Sequence, residues 1–326
     1  MKSLQRCWFQ MVLAVACMVV GTVTSHAAET YPSRPLRMVV PYAPGGNTDV
    51  LARLIAQRLT QSLGQQVVVD NRPGGNTLIG TELVARAPAD GYTIMLTTLT
   101  FTVVPTLYKK LPYDALRDFT PLTLAVTLPN VLVIHPAVPA RTLKEFISHA
   151  KANPGKLSYA STGSGTSPHL SMELLKSMAD IDLVHVPYKG GAPAMTDLIG
   201  GQVVAQFIGL PVAMPHITSG KLRALGVTSN KRASVAPNIP TIGETLAGYE
   251  LDPWFGVLGP AGMPKAVTDR LHGEISRILR AGDMKDHLNS SGAEPVGNTP
   301  AQFAAHIKAE IGKYAKIVKT AGIKVE

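Results

Sequence analysis

The chain has 326 residues and a formal net charge of +9 at pH 7, and only 16% of its residues are charged. Its basic residues are scattered and few aromatic residues accompany them, which argues against a nucleic-acid-binding face. Both cysteines, Cys7 and Cys17, lie near the N-terminus, so the rest of the chain can have no disulfide and no Cys-ligated metal.

The N-terminal segment has the pattern of a secretory signal peptide. Two basic residues precede an apolar run over 8–23, and Ser25 and Ala27 are the small residues of a cleavage site. We predict a signal peptide over residues 1–27, a mature chain that starts at Ala28, and export to the periplasm. An uncleaved membrane anchor is the alternative, but the apolar run is short for a membrane span.

Short β-branched runs then alternate with amphipathic stretches, a pattern typical of an α/β protein with parallel sheets. The predicted strands cover residues 37–40, 67–69, 92–97, 131–135, 157–160, 183–186, 203–207 and 224–227. Apolar residues at helical spacing predict a helix over 49–62. Capping boxes that begin at Thr142 and Thr299 predict two further helix starts.

Two Gly-rich loops each join a predicted strand to a predicted helix. They cover residues 42–48 and 161–167, about 120 residues apart, which is the separation expected if each belongs to a different domain. We expect the chain to cross between domains near residues 128–130 and to return near 250–254. This gives a discontinuous domain 1 over 28–128 and 252–326, and a domain 2 over 129–251.

A helix that follows a strand through glycines presents free backbone N–H groups and a partial positive charge to an anion. Gly46 and Gly165 let the backbone approach a ligand, and Thr48, Ser164 and Thr166 add hydroxyl donors. Two such loops that face one crevice could bind both ends of a dicarboxylate, or both oxygens of one carboxylate. The alternative is that both loops are ordinary tight turns.

Four other residues are candidates for the same crevice. Asp49 could cap its helix or bind a ligand hydroxyl. His169 could donate to the ligand, or cap and pack. Tyr188 follows the predicted strand 183–186, and Thr98 follows the strand 92–97, so both belong at the end of a strand.

Enzyme and cofactor motifs are absent from the sequence. Residues 162–166 lack both outer glycines of G-x-S-x-G, and the dinucleotide and P-loop fingerprints are missing. The nine histidines lack metal-binding spacing. We therefore expect no catalysis, no cofactor and no metal. A serine hydrolase that uses Ser164 is kept as an alternative.

Several motifs together resemble the Bug family, the periplasmic solute receptors of tripartite tricarboxylate transporters. They are Tyr-Pro-Ser-Arg-Pro at 31–35, Pro-Gly-Gly at 44–46, Asn-Arg-Pro-Gly at 71–74, Ala-Pro-Ala-Asp-Gly-Tyr at 87–92, His-Val-Pro-Tyr-Lys-Gly at 185–190 and Gly-Pro-Ala-Gly at 259–262. These motifs span nearly all of the chain after the predicted signal peptide.

The resemblance implies an α/β, two-domain periplasmic-binding-protein (Venus flytrap) fold with a ligand crevice between the domains. It carries the binding role to two groups of residues, which are Tyr42, Gly46, Asn47 and Thr48, and Ser164, Gly165, Thr166 and His169. Family members often have an aspartate after the phenylalanine at 207, where this chain has Ile208 and then Gly209. An amino-acid ligand would need that acid, so a plain or aromatic carboxylate is favoured.

The expected function is therefore that of a monomeric receptor that captures a small carboxylate and delivers it to the permease subunits of a membrane transporter. A dicarboxylate or an aromatic carboxylate is the favoured ligand. A sensor accessory that presents the ligand to a membrane kinase would use the same binding chemistry, so the sequence leaves it open.

Overall fold

The computed structural model describes residues 31–188, 190–320 and 322. The predicted signal peptide over 1–27 and the predicted start at Ala28 lie outside these residues. The described chain forms two sheets with helices packed against them. No helix within the described residues is long and apolar enough to span a membrane.

Six strands form the first sheet, in the order β11-β4-β10-β3-β1-β2. Their bounds are β1 Leu36–Val40, β2 Val67–Asn71, β3 Thr93–Thr98, β4 Phe119–Thr127, β10 Trp254–Pro260 and β11 Glu294–Pro295. The helices in these parts of the chain are α1 Asn47–Leu63, α2 Leu78–Ala85, α3 Thr100–Leu107, α8 Lys265–Arg280, α9 Gly282–Ser290 and α10 Pro300–Thr320.

Five strands form the second sheet, in the order β7-β6-β8-β5-β9. Their bounds are β5 Asn130–Ile134, β6 Ser158–Ser161, β7 Val184–Pro187, β8 Ala205–Gly209 and β9 Arg223–Val227. The helices between them are α4 Leu143–Ala152, α5 Ser167–Ala179, α6 Gly191–Ile199 and α7 Leu210–Thr218.

The prediction of parallel sheets is correct for only part of each sheet. Strand β1 is parallel to β2 and β3, and β6 is parallel to β7 and β8. In contrast, β10 is antiparallel to β3 and β4, and β5 is antiparallel to β8 and β9. The reason is that β5 and β10 each arrive from the other sheet. They enter at the edge where the parallel strands end, so they must run away from that edge.

The helices predicted over 49–62 and after Thr142 and Thr299 are present. Leu51, Ile55 and Leu59 are buried at helical spacing along α1, which ends at Leu63 and is followed by the C-cap Gly64 in the left-handed conformation with φ 69°. At the start of α10, the Thr299 hydroxyl accepts from Gln302 N at 3.3 Å, and Gln302 Oε1 accepts from Thr299 N at 3.0 Å. The capping box predicted there is confirmed.

The chain passes between the sheets at two places in the described residues. Strand β4 ends at Thr127 and β5 begins at Asn130, and the chain rejoins the first sheet at Trp254. Leu128 N donates to Pro253 O at 2.9 Å, so the two passages lie side by side. The proposed domain boundaries fall at these passages, and the division into two domains stays a prediction.

Candidate functional site

The topology brings the carboxyl ends of both sets of parallel strands toward the passages. Asn130, the first residue of β5, pairs with Gly209, the last residue of β8. On the other side, Trp254 pairs with Thr127, and Phe255 pairs with Thr98 at the end of β3. Both sheets therefore present their strand-end loops to the same region, which is the usual place for a ligand in open α/β sheets. We call this region the crevice.

The first Gly-rich loop places Tyr42 in contact with Thr98, and both residues were predicted to belong to the site. The hydroxyls of Tyr42 and Thr98 are 2.6 Å apart, and Thr98 Oγ1 is 3.3 Å from Thr100 Oγ1. Burial raises the pKa of the Tyr42 hydroxyl above its ordinary value, although hydrogen bonds from these threonines partly offset this. Tyr42 is therefore neutral at physiological pH and can both donate and accept a hydrogen bond.

The carboxylate of Asp49 is used inside the loop. It accepts from Gly45 N at 3.0 Å and from Arg53 Nε at 3.1 Å, and its side chain is only 6% exposed. Burial raises the pKa of Asp49, but the hydrogen bonds from Arg53 and Gly45 outweigh this effect and lower the pKa below its ordinary value. The carboxylate thus orders the loop before α1, but Gly46 and not Asp49 is the N-cap, so the predicted capping role is wrong and the ligand role stays a prediction.

The first turn of α1 follows directly from this loop. Gly46 is the N-cap, with φ −85°, and a Cβ placed on it would meet no atom within 4 Å. Asn47 is exposed, whereas Thr48 is buried in the same turn. The first N–H groups of a helix have no partner within the helix, so they are available to an anion that approaches over Gly46.

The second loop is held by hydrogen bonds among its own residues. Gly165 adopts φ 77° and its N–H donates to His169 Nδ1 at 3.0 Å. The Thr166 hydroxyl donates to Gly163 O at 2.6 Å. Ser164 is half-buried between the two glycines. The Thr166 hydroxyl therefore donates its proton within the loop in this structure. Donation from Thr166 to a ligand stays a prediction.

His169 is held as a neutral ring. Burial, together with the charges of His185 and Lys176, lowers the pKa of His169 to about 3. A neutral ring whose Nδ1 accepts from Gly165 carries its proton on Nε2. The ring stacks on His185 with centroids 4.1 Å apart. His169 therefore shapes the loop, and only its Nε2–H could donate to a ligand.

Three further residues that were predicted to belong to the site lie at or near the ends of strands of the second sheet. Tyr188 donates to Asp197 Oδ2 at 2.6 Å, and burial, followed by this hydrogen bond, raises the pKa of Tyr188 to about 12. Ile208 is buried in an apolar cluster that also contains Leu210. Gly209 lies against the first loop, since a Cβ on Gly209 would be 3.2 Å from Asn47 Nδ2.

A third loop at this edge was not predicted as part of the site. It follows β2 and contains Asn76 and Thr77, which have φ 53° and φ 75°. A Cβ on Gly165 would lie 3.4 Å from Asn76 Nδ2, so this loop faces the second Gly-rich loop. The sequence carried a signal for it, because Pro-Gly-Gly-Asn-Thr at 44–48 occurs again at 73–77.

The electrostatics of the crevice suit a small anion. Helices α1, α2 and α3 begin after strands of the first sheet, and α5, α6 and α7 begin after strands of the second, so six helix N-termini lie at the two facing edges. The negative charge of Asp49 is paired with Arg53. Among the described residues, no group of three or more His, Cys, Asp or Glu side chains could hold a metal ion.

A serine–histidine pair is present, but it is not exposed. Ser161 Oγ lies 2.6 Å from His185 Nε2, and Ser161 is 0% exposed. A hydroxyl so enclosed cannot reach a substrate, and it also accepts from Gly163 N at 3.1 Å. This pair stabilises the second loop, and it does not involve Ser164, the residue of the hydrolase alternative.

The family model described as "Tripartite tricarboxylate transporter family receptor" matches residues 51–323. The chain belongs to this family. Members of this family are solute-binding receptors and not enzymes, which confirms the expected class and implies a periplasmic location.

Solved structures agree with this family and show its fold. A structure described as R. palustris Rpa4515 with adipate is 38% identical, with a TM-score of 0.84, over 90% of this chain and 99% of that chain. The periplasmic binding protein BugD is 37% identical, with a TM-score of 0.81, over 91% and 100%. MatC from Rhodopseudomonas palustris with bound malate is 31% identical, with a TM-score of 0.79, over 88% and 100%. The predicted α/β periplasmic-binding-protein fold is confirmed.

Proposed function

We propose that this receptor binds a small dicarboxylate in the crevice and delivers it to the membrane permease of a tripartite tricarboxylate-type transporter. The observation that carries the proposal is the pair of Gly-rich loops at the facing sheet edges. Each loop precedes a helix N-terminus, and the two loops could hold the two carboxylates of one ligand.

The composition of the crevice supports an acidic ligand without an amino group. Asp49 is paired with Arg53, so its charge does not repel an anion as a free carboxylate would. Position 208 is an isoleucine, so no carboxylate at that position can pair with an ammonium group. Two similar proteins were solved with adipate and malate, which are both dicarboxylates. Aromatic carboxylates are the second ligand class to test.

The test is a binding screen on protein that has been unfolded and refolded to remove bound ligand. Adipate, malate, benzoate, aspartate and glucose would be compared by thermal shift and then by calorimetry. A dicarboxylate should bind with a Kd in the micromolar range or tighter, about −8 kcal/mol. At a concentration 100 times its Kd it should stabilise the protein by about 2.7 kcal/mol. Preference for aspartate, a dicarboxylate with an amino group, or for glucose over both adipate and malate would contradict the proposal.

A further inference from the structure

Two asparagines at equivalent positions of a repeated sequence face glycines across the crevice. Asn47 and Asn76 are each the fourth residue of Pro-Gly-Gly-Asn-Thr. A Cβ on Gly209 would lie 3.2 Å from Asn47 Nδ2, and a Cβ on Gly165 would lie 3.4 Å from Asn76 Nδ2. Both asparagines follow strands of the first sheet, and both glycines belong to strand ends or loops of the second sheet.

Both glycines lie where a side chain would have little room. A contact of 3.2 Å is closer than a Cβ normally tolerates, so alanine at Gly209 would make the Asn47 amide shift by a few tenths of an ångström. At Gly165 a Cβ would also lie 2.8 Å from Leu107 Cδ1, an atom of the first-sheet side. A Cβ at either glycine would therefore force a neighbouring side-chain end to move, Asn47 at Gly209 and Leu107 at Gly165.

The backbone at the second asparagine is held in an uncommon conformation. Asn76 and Thr77 both have positive φ, which is rare for residues other than glycine and especially for a β-branched threonine. Such a conformation persists where the surrounding structure determines it, and it is concentrated at ligand sites and at parts that change conformation. It directs the Asn76 amide toward Gly165.

We infer that Asn47 and Asn76 are positioning residues that close the crevice by packing their amides on Gly209 and Gly165. We call these two contacts the asparagine–glycine pairs. Their role rests on the proposed function, because a ligand that is bound by both sheets favours the conformation in which the pairs are made. Loss of a pair should therefore speed ligand release.

Gly209→Ala tests the first pair with little other disturbance. The backbone at Gly209 has φ −54° and ψ 132°, which alanine adopts without strain. The added methyl group should raise the dissociation rate of adipate roughly tenfold and leave the unfolding of ligand-free protein unchanged. Gly273→Ala in α8 is the matched control, because its Cβ would meet no atom within 4 Å and it lies outside the crevice. It should release adipate at the wild-type rate.

A double variant shows whether Asn47 and Gly209 act through contact with each other or through separate contacts with the ligand. In an Asn47→Ala background the amide is gone, so Gly209→Ala should speed release far less than it does in the wild type. Non-additive effects of this kind support the pair. Additive effects on adipate release would overturn it, as would a loss of ligand-free stability that accounts for the whole change.

A measurement without ligand keeps this inference distinct from the proposed function. If the wild type binds neither adipate nor malate, the dicarboxylate proposal fails, but closure can still be measured by small-angle X-ray scattering. Gly209→Val should then increase the radius of gyration relative to the wild type and to Gly273→Ala. An identical radius for all three proteins would overturn the role of the pair.

Discussion

At the scale of single residues, one ionisable side chain helps to order each of the two Gly-rich loops. Asp49 receives hydrogen bonds from Gly45 and Arg53, which hold the first loop in shape. His169 is neutral and accepts from Gly165 in the second loop. Asp49 and His169 thus each order a loop, and backbone N–H groups and hydroxyls remain the predicted ligand donors.

Gly46 provides a direct test of backbone binding. Alanine fits its φ of −85°, and the new methyl group would meet open space in the ligand-free protein. If a carboxylate approaches over Gly46, Gly46→Ala should weaken adipate binding by roughly ten- to a hundredfold, because hydrogen bonds to a charged group are each worth about 1.5–3 kcal/mol. The unfolding midpoint without ligand should fall only slightly, because alanine is a poorer N-cap than glycine. Calorimetry and thermal melts give both values, and unchanged affinity would remove this loop from the site.

At the scale of elements, helix capping shows how local sequence sets a boundary. Thr299→Ala removes the hydroxyl that accepts from Gln302 N, so the start of α10 should loosen. We expect a loss of about 1 kcal/mol in the free energy of unfolding, measured with urea. Thr268→Ala, inside α8, is the control. Since alanine has the higher helix propensity, this variant should be equal to the wild type or slightly more stable. Equal losses in both variants would contradict the capping argument.

The elements that the sequence predicted are those with local signals. The strands predicted at 37–40 and 131–135 lie within one residue of β1 and β5, because β-branched runs between turn residues mark them. Strands β4 and β10 were missed because Pro121 and Gly256 interrupt their patterns. Tertiary packing explains Gly256, since a Cβ there would lie 2.2 Å from Phe303 Cζ.

The loops of the candidate site could be predicted to a similar extent, and their role in binding stays a prediction. Glycines after strands predicted both main loops, because strand-end position and glycine content are visible in sequence. The proximity of Asn47 to Gly209 was not predictable, since it depends on how the two sheets face each other. The same applies to Ile208, whose side chain is directed into the core by the pleat of β8.

At the scale of the whole molecule, an acid at the second passage links stability to pH. Burial, reinforced by Glu250, raises the pKa of Asp252 to about 6; Lys313 opposes this, and Glu294 and Glu310 add to it. Asp252 Oδ1 has no hydrogen-bond partner among the described residues. The folded protein therefore binds this proton more tightly than the unfolded chain. Its contribution is fully present below about pH 4 and is lost as pH rises through about 6.

Asp252→Asn removes this titration. The variant should gain stability relative to the wild type as pH rises from 4 to 7, by about 1–3 kcal/mol, because each pKa unit corresponds to about 1.4 kcal/mol. Asp269→Asn, at an exposed ion pair with Lys265, is the control and should show no such trend. Thermal melts across this pH range give the difference, and a constant difference would contradict the assignment.

The position of β10 also has a consequence for how the chain is made. This strand lies between β3 and β4, yet it is synthesised 127 residues after Thr127. All strands of the second sheet, in contrast, come from one continuous stretch that ends at Val227. During translation the second sheet can therefore assemble first, while β4 has no strand to join it to β3. The first sheet is completed only when the last quarter of the polypeptide emerges, which makes this non-local step the expected slow one in folding.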